Sequence, residues 1–136
     1  MLYGAISNQF GKTNIIHPQS KPLPKEINLT SDFLQVIGFY ISEGCDSHDA
    51  IHFCFHSNET EYHNIIKRTM ADLFDVEMTV LKIYDDRKFR HTLMCYYTLF
   101  RNLMVGMCGK LSRGKHLPDF VWKLSHKQRM DLLFGI

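Results

Sequence analysis

Residues 33–44 read Phe33-Leu-Gln-Val-Ile-Gly-Phe-Tyr-Ile-Ser-Glu-Gly44. Phe33, Leu34, Ile37, Tyr40 and Ile41 recur at helical spacing, so the stretch is a helix. Thr30 or Ser31 can cap its first turn, Asp32 suits its positive end, and Gly44 can end it. The helix is apolar nearly all round and seeks burial on most sides. Glu43 closes it. A buried carboxylate without a partner is costly, so a buried Glu43 must be paired, protonated or bound to metal. Gly38 and Ser42 lie four apart and form a small-residue face that lets a second helix backbone approach closely. Were two such helices to cross there, two acids would meet at their ends. Side-by-side carboxylates repel unless a divalent cation sits between them, and such a cation can polarise a phosphate and activate water. The plainer alternative is an ordinary helix whose last turn is exposed at Glu43.

Working outward, Ile51-His-Phe-Cys-Phe-His56 alternates with period two. It reads as a half-buried strand with Ile51, Phe53 and Phe55 inward and His52, Cys54 and His56 outward. A helix from about residue 59 follows, with Asn58 and Glu61 as its cap and third-position partner. Tyr62, Ile65, Ile66, Met70, Leu73 and Phe74 form its stripe. Strands are expected at 77–84 and 91–97, joined by the polar turn Asp85-Asp86-Arg87-Lys88. Thr98 can cap a third helix that stops at Gly109. After a basic loop, Ser125 and Gln128 cap a last helix holding Met130, Leu132, Leu133 and Ile136. This order predicts an α+β fold, an antiparallel sheet with helices on one face. The final helix resembles the first.

The chain has 136 residues, enough for one domain that buries roughly two-thirds of its unfolded surface. A hydrophobic content of 45% excludes a disordered chain. No apolar run approaches the roughly 18 residues of a membrane span, and Met1 to Phe10 lack a secretory pattern. Cys45, Cys54, Cys95 and Cys108 contain no CxxC pair, which suggests free thiols and a reducing, intracellular (cytoplasmic) setting. The net charge of +2 permits nucleic-acid binding without arguing for it. Gly11-Lys12-Thr13 fails as a phosphate loop, because Ile6 stands where that loop needs glycine.

Val36-Ile-Gly-Phe-Tyr-Ile-Ser-Glu-Gly44 resembles the motif of the LAGLIDADG homing endonucleases, in the variant form of intein-borne members. Gly38 matches the motif's inner glycine, Glu43 its catalytic acid and Gly44 its closing glycine. Pro22-Leu-Pro-Lys-Glu-Ile-Asn-Leu29 resembles the family's lead-in segment, and Lys115-His-Leu-Pro-Asp-Phe-Val121 is similar to the basic proline block before its second motif. Leu133-Phe-Gly-Ile136 resembles the opening of that second motif, with Gly135 as inner glycine. The resemblance implies an αββαββα unit with a concave antiparallel sheet. Residues 1–25 would be an irregular segment, 26–124 the repeat and 125–136 the start of a second motif helix. It further implies a site-specific double-stranded DNA endonuclease half using Mg2+ or Mn2+ at Glu43 and Gly44. Lys115 would support catalysis, and Gly38, Ser42 and Gly135 would form the helix interface.

The second acid would fall about five residues beyond the last residue given. A homodimer with two Glu43 residues, a second chain carrying the other motif, and an inactive DNA-binding or partner subunit all remain open. Neither an N-terminal Cys or Ser nucleophile nor a C-terminal His-Asn pair is present, so a complete intein is not expected. DNA contact would come from the open sheet face and its turns: Lys82, Tyr84, Arg87, Lys88, Arg90, His52 and His56, with Lys110 and Arg113 near the centre. A rival use of His52, Cys54 and His56, with Cys45 and His48 nearby, is zinc binding, although the spacing fits no compact zinc motif. A third possibility is a protein-interaction domain that uses an exposed helix.

Overall fold

The structure, a computed structural model, describes residues 21–46, 50–56, 59–84 and 89–136, with side chains described outside 81–91 and 112. Helix α1 (Ser31–Glu43) leads into strand β1 (Gly44–Asp46) and strand β2 (Ile51–His56). Helix α2 (Thr60–Thr69) follows and runs on through a widened turn over Met70–Phe74. Strands β3 (Thr79–Tyr84) and β4 (Phe89–Cys95) come next, then helix α3 (Thr98–Cys108) and the short helix α4 (Leu111–Gly114). A 3-10 turn (Asp119–Lys123) precedes helix α5 (His126–Gly135). The four strands form one antiparallel sheet in the order β1-β2-β4-β3. The expected α+β class and the alternation of strand β2 are both present.

Local chemistry explains the element ends. Thr30 accepts a hydrogen bond from Phe33 N, fixing the start of α1. Ser125 and Gln128 form the expected reciprocal cap of α5. Gly109 adopts φ +76° and ends α3, where a side chain would be strained. Other details differ from the sequence reading. Thr98 is the first helical residue of α3, and Tyr97 occupies the cap position. Asn58 and the 85–88 turn lie outside the described residues. Glu59 caps α2, and its carboxylate accepts the backbone N–H of His56 instead of one within the helix.

The core lies between the sheet and α1. Phe33, Leu34, Val36, Ile37, Phe39 and Tyr40 are all buried, as the nearly all-apolar helix requires. Ile51, Phe53 and Phe55 meet them from the sheet, and Phe74 sets its ring edge-on to Phe33 and Phe100. On the opposite face of β2, His52 and Cys54 are half-buried and His56 is exposed. Thr92 and Met94 share that face and are buried.

Helix α5 lies across α1 with only glycine between the backbones. A Cβ on Gly38 would strike the carbonyl oxygen of Leu132 and lie 2.8 Å from Gly135 Cα. A Cβ on Gly135 would strike the carbonyl of Gln35 and lie 2.9 Å from Gly38 Cα. Ser42 donates to the Gly135 carbonyl at 2.9 Å. The small-residue face is therefore a helix crossing. On the outer side of α5 Met130 and Leu133 are exposed, as is Ile136 at its C-cap, and of the four apolar residues named for this helix only Leu132 is buried.

Two outcomes follow from this packing. Gly38→Ala should cost at least about 1–3 kcal/mol through overpacking, read by urea unfolding. Gly106→Ala, where an added Cβ meets nothing within 4 Å, should stabilise α3 by about 0.5–1 kcal/mol. Burial also pushes the Cys95 thiol up to about 12 and the Cys108 thiol up to about 11, from an ordinary 9. Unfolded thiols lose protons first, so stability is full below pH 9 and declines as pH rises toward those native values. Urea midpoints at pH 8 and 10.5 should show the decline, and Cys95→Ala with Cys108→Ala should shrink it.

Candidate functional site

The last turn of α1 gathers the groups singled out in the sequence. Glu43 is the final helical residue and is exposed, so the partner demanded of a buried carboxylate is not needed within this chain. Two features set it apart from an ordinary helix end. The tail of α5 lies alongside, and Glu43 lines a cleft of about 250 Å³ with Ser42, Cys54, Glu59, Gly135 and Ile136. On the other side stands Lys115, whose ammonium feels the charge of Glu43.

Lys115 is half-buried just past α4. Its Nζ donates to the carbonyl of Tyr40 at 2.9 Å and to the carbonyl of Gly44. These lie in the last turn of α1, where the helix dipole favours a cation. Nζ also stands 4.9 Å from the centre of the Tyr40 ring, within cation–π range. Burial lowers the lysine below its ordinary value, and nearby Cys45, Glu43 and Asp46 oppose that shift. An ammonium has three donors, of which the described residues engage two.

The loop that delivers Lys115 is held at both ends. Its first residue, Gly109, accepts the Tyr40 hydroxyl at 2.6 Å. His116 N donates to the Cys108 carbonyl at 2.8 Å and closes it. Between them Leu111 takes φ +64°, an unfavourable conformation for leucine. Desolvation, joined by the charge of Asp46, pushes the Tyr40 phenol up to about 12, so it stays a hydrogen-bond donor at any neutral pH.

The remaining assignments divide. Gly38, Ser42 and Gly135 meet at the crossing. The Gly44 carbonyl, expected to face a metal, accepts the lysine ammonium. Lys110 and Arg113 are exposed on the same loop as Lys115. In the sheet, Arg90 pairs with His56, and Met94 with His52, so the two histidine positions and Arg90 have one parity. Lys82 and Tyr84 pair with His91 and Phe89 and have the alternate parity. Arg87 and Lys88 lie outside the described residues. No three His, Cys, Asp or Glu side chains among the described residues are grouped to hold a metal.

Two participants were not singled out as functional. Tyr40 was read as core, although a tyrosine in an aliphatic run signals a hydroxyl that needs a buried partner. Arg101 pairs with Asp46 at 2.7 Å, with side chains 20% and 10% exposed, fastening α3 to β1 just beyond Glu43. Nothing in the spacing of two residues 55 apart marks that pair.

No family model matches the chain. Over 133 residues it is 28% identical to an ATP-dependent DNA helicase Hel308 of Thermococcus kodakarensis, covering 96% of this chain and 12% of that protein. Over 113 residues it is 30% identical to an iron-sulfur cluster assembly SufBD family protein of Mycobacterium tuberculosis, covering 80% and 13%. Over 118 residues it is 26% identical to an uncharacterised protein of Methanocaldococcus jannaschii, covering 83% and 15%. The chain thus spans about an eighth of the length of the curated relatives it matches.

Arg101→Leu should destabilise the fold by about 1–3 kcal/mol, because it leaves the Asp46 carboxylate shielded without a partner. Lys127→Ala, which removes a solvent-exposed lysine from its i,i+4 pair with Asp131, should cost less, under about 1 kcal/mol. Urea unfolding of the two variants checks the contrast.

Proposed function

We propose that this chain is one half of a LAGLIDADG-type, site-specific double-stranded DNA endonuclease. The observation that carries the reading is the glycine-on-glycine crossing of α1 and α5, which leaves Glu43 beside the tail of α5 with Lys115 against the same helix end. The element order and the antiparallel sheet agree with the αββαββα unit of that family. The relatives add independent support. Nearly the whole chain matches a small part of two proteins whose names, a helicase and an iron-sulfur assembly protein, have no activity in common. A segment shared by such hosts fits an inserted mobile element better than a piece of either activity.

The donor set is that of half a metal site. Glu43 supplies a carboxylate and would hold Mg2+ or Mn2+ together with oxygens from a second unit. Gly44 fits less well, because its carbonyl is engaged by Lys115. When bound, the cation would polarise the scissile phosphate and activate water. This chain's own part is to present the Glu43 carboxylate, and to aim the third ammonium donor of Lys115 at a phosphate oxygen.

The second acid is best supplied from the side of α5. Gly135 already fills the Gly38 face, so two copies could not join through Gly38 without displacing α5. Aligning Gly135 on Gly38 sets Met130, Leu133 and Phe134 against Phe33, Val36 and Ile37. In α1 those positions are buried under the sheet, whereas in α5 they are exposed. This supports a second sheet-bearing unit packed over α5, whether it continues this polypeptide or belongs to another. DNA would lie on the sheet face carrying His52, His56 and Arg90.

The test is cleavage of duplex DNA containing candidate sites in Mg2+, with the chain joined to or mixed with its companion unit. Double-strand cutting is expected, and Glu43→Gln should lower it by at least about a hundredfold, in the range lost with one transition-state contact, while leaving DNA binding intact. DNA bound but never nicked, or a Glu43→Gln protein that cuts like wild type, would refute the catalytic reading.

A further inference from the structure

Tyr40 touches the lysine loop at both ends. Its hydroxyl donates to Gly109, where the loop begins, and its ring and carbonyl receive Lys115, where the loop ends. We infer that Tyr40 is a positioning residue: it straps the 109–115 loop to the end of α1 and thereby sets where the Lys115 ammonium stands relative to Glu43. The inference rests on the nuclease reading for its catalytic consequence, but its structural half concerns Lys115 alone.

The loop holds Leu111 at a positive φ that a leucine side chain disfavours, so its conformation needs outside support. The Tyr40 side chain is fully buried, which makes its 2.6 Å hydroxyl contact a fixed point. The floor beneath the ammonium is equally fixed, because a Cβ on Gly44 would lie 2.7 Å from Tyr40 Cδ1. With two donors spent on the Tyr40 and Gly44 carbonyls, the direction of the third is set by the chain. A lysine on an unsupported loop would have many orientations, and small misplacements of a catalytic group are costly.

Tyr40→Phe is the informative change, since it keeps the ring and the backbone carbonyl and removes only the strap. In the assembled, cutting protein, kcat should fall about 10- to 100-fold, with KM for DNA unchanged. In a Lys115→Met background the same change should cost nothing, because the group it positions is gone. A loss of equal size in both backgrounds would overturn the inference, as would an unchanged kcat in Tyr40→Phe. Competitive acetylation of the free chain with acetic anhydride, followed by peptide mass analysis, reads Lys115 without any cleavage. Lys115 should be modified more readily in Tyr40→Phe, with Lys127 as an exposed internal reference. Faster modification in a protein that never cuts would sink the nuclease reading and keep the strap. Unchanged modification would refute the strap even in an active enzyme.

Discussion

The contact between the backbones of Gly38 and Gly135 is the constraint on which the rest of the molecule depends. Helix axes usually stay apart by the depth of two layers of side chains. Here the approach is limited by main-chain atoms, and Ser42 reaches across to the Gly135 carbonyl. The crossing lets α1 be covered on one side by the sheet and on another by α5. That is why so apolar a helix can occupy a domain of this size without exposing its flanks. The same closeness brings the tail of α5 beside Glu43.

At the C-terminal end of α1 the unsatisfied carbonyls of a helix become a receptor for a cation. Gly44 N and Lys115 Nζ both donate to the Tyr40 carbonyl, and Lys115 also serves Gly44. The partial negative charge of the helix end therefore holds an ammonium a short way from the exposed carboxylate. The Arg101–Asp46 pair then ties β1 to α3, so the strand that leaves the site cannot drift from the loop that enters it. Structural and chemical roles overlap here: Tyr40 is core by burial and part of the site by its hydroxyl and carbonyl.

The elements that were legible in the sequence are those with strong local signals. The alternation of Ile51–His56, the caps at Thr30 and Ser125, and the stop at Gly109 depend on neighbouring residues alone. Two details of the helix starts differed by local shifts. Thr98 lost its cap role because the chain enters α3 one residue earlier, and Glu59 turned back toward His56. The apolar residues of α5 were legible as a set, but which of them are buried was not: Leu132 turns to α1 while Met130, Leu133 and Phe134 stay exposed, because burial needs a second surface. The paired strands separate Lys82 from Arg90 by parity, which no count of basic residues along the chain could reveal.

Sequence by itself determined the helix that ends in Glu43, its small-residue face, and the basic block containing Lys115, because residue type and short-range spacing decide helix formation and close approach. Only the tertiary structure decided that Gly38 meets Gly135, that Lys115 rests on the carbonyls of Tyr40 and Gly44, and that Glu43 faces water. Those relations join residues about 70 to 100 positions apart, and their geometry is set by how the helices and loop pack together, which local propensity does not encode.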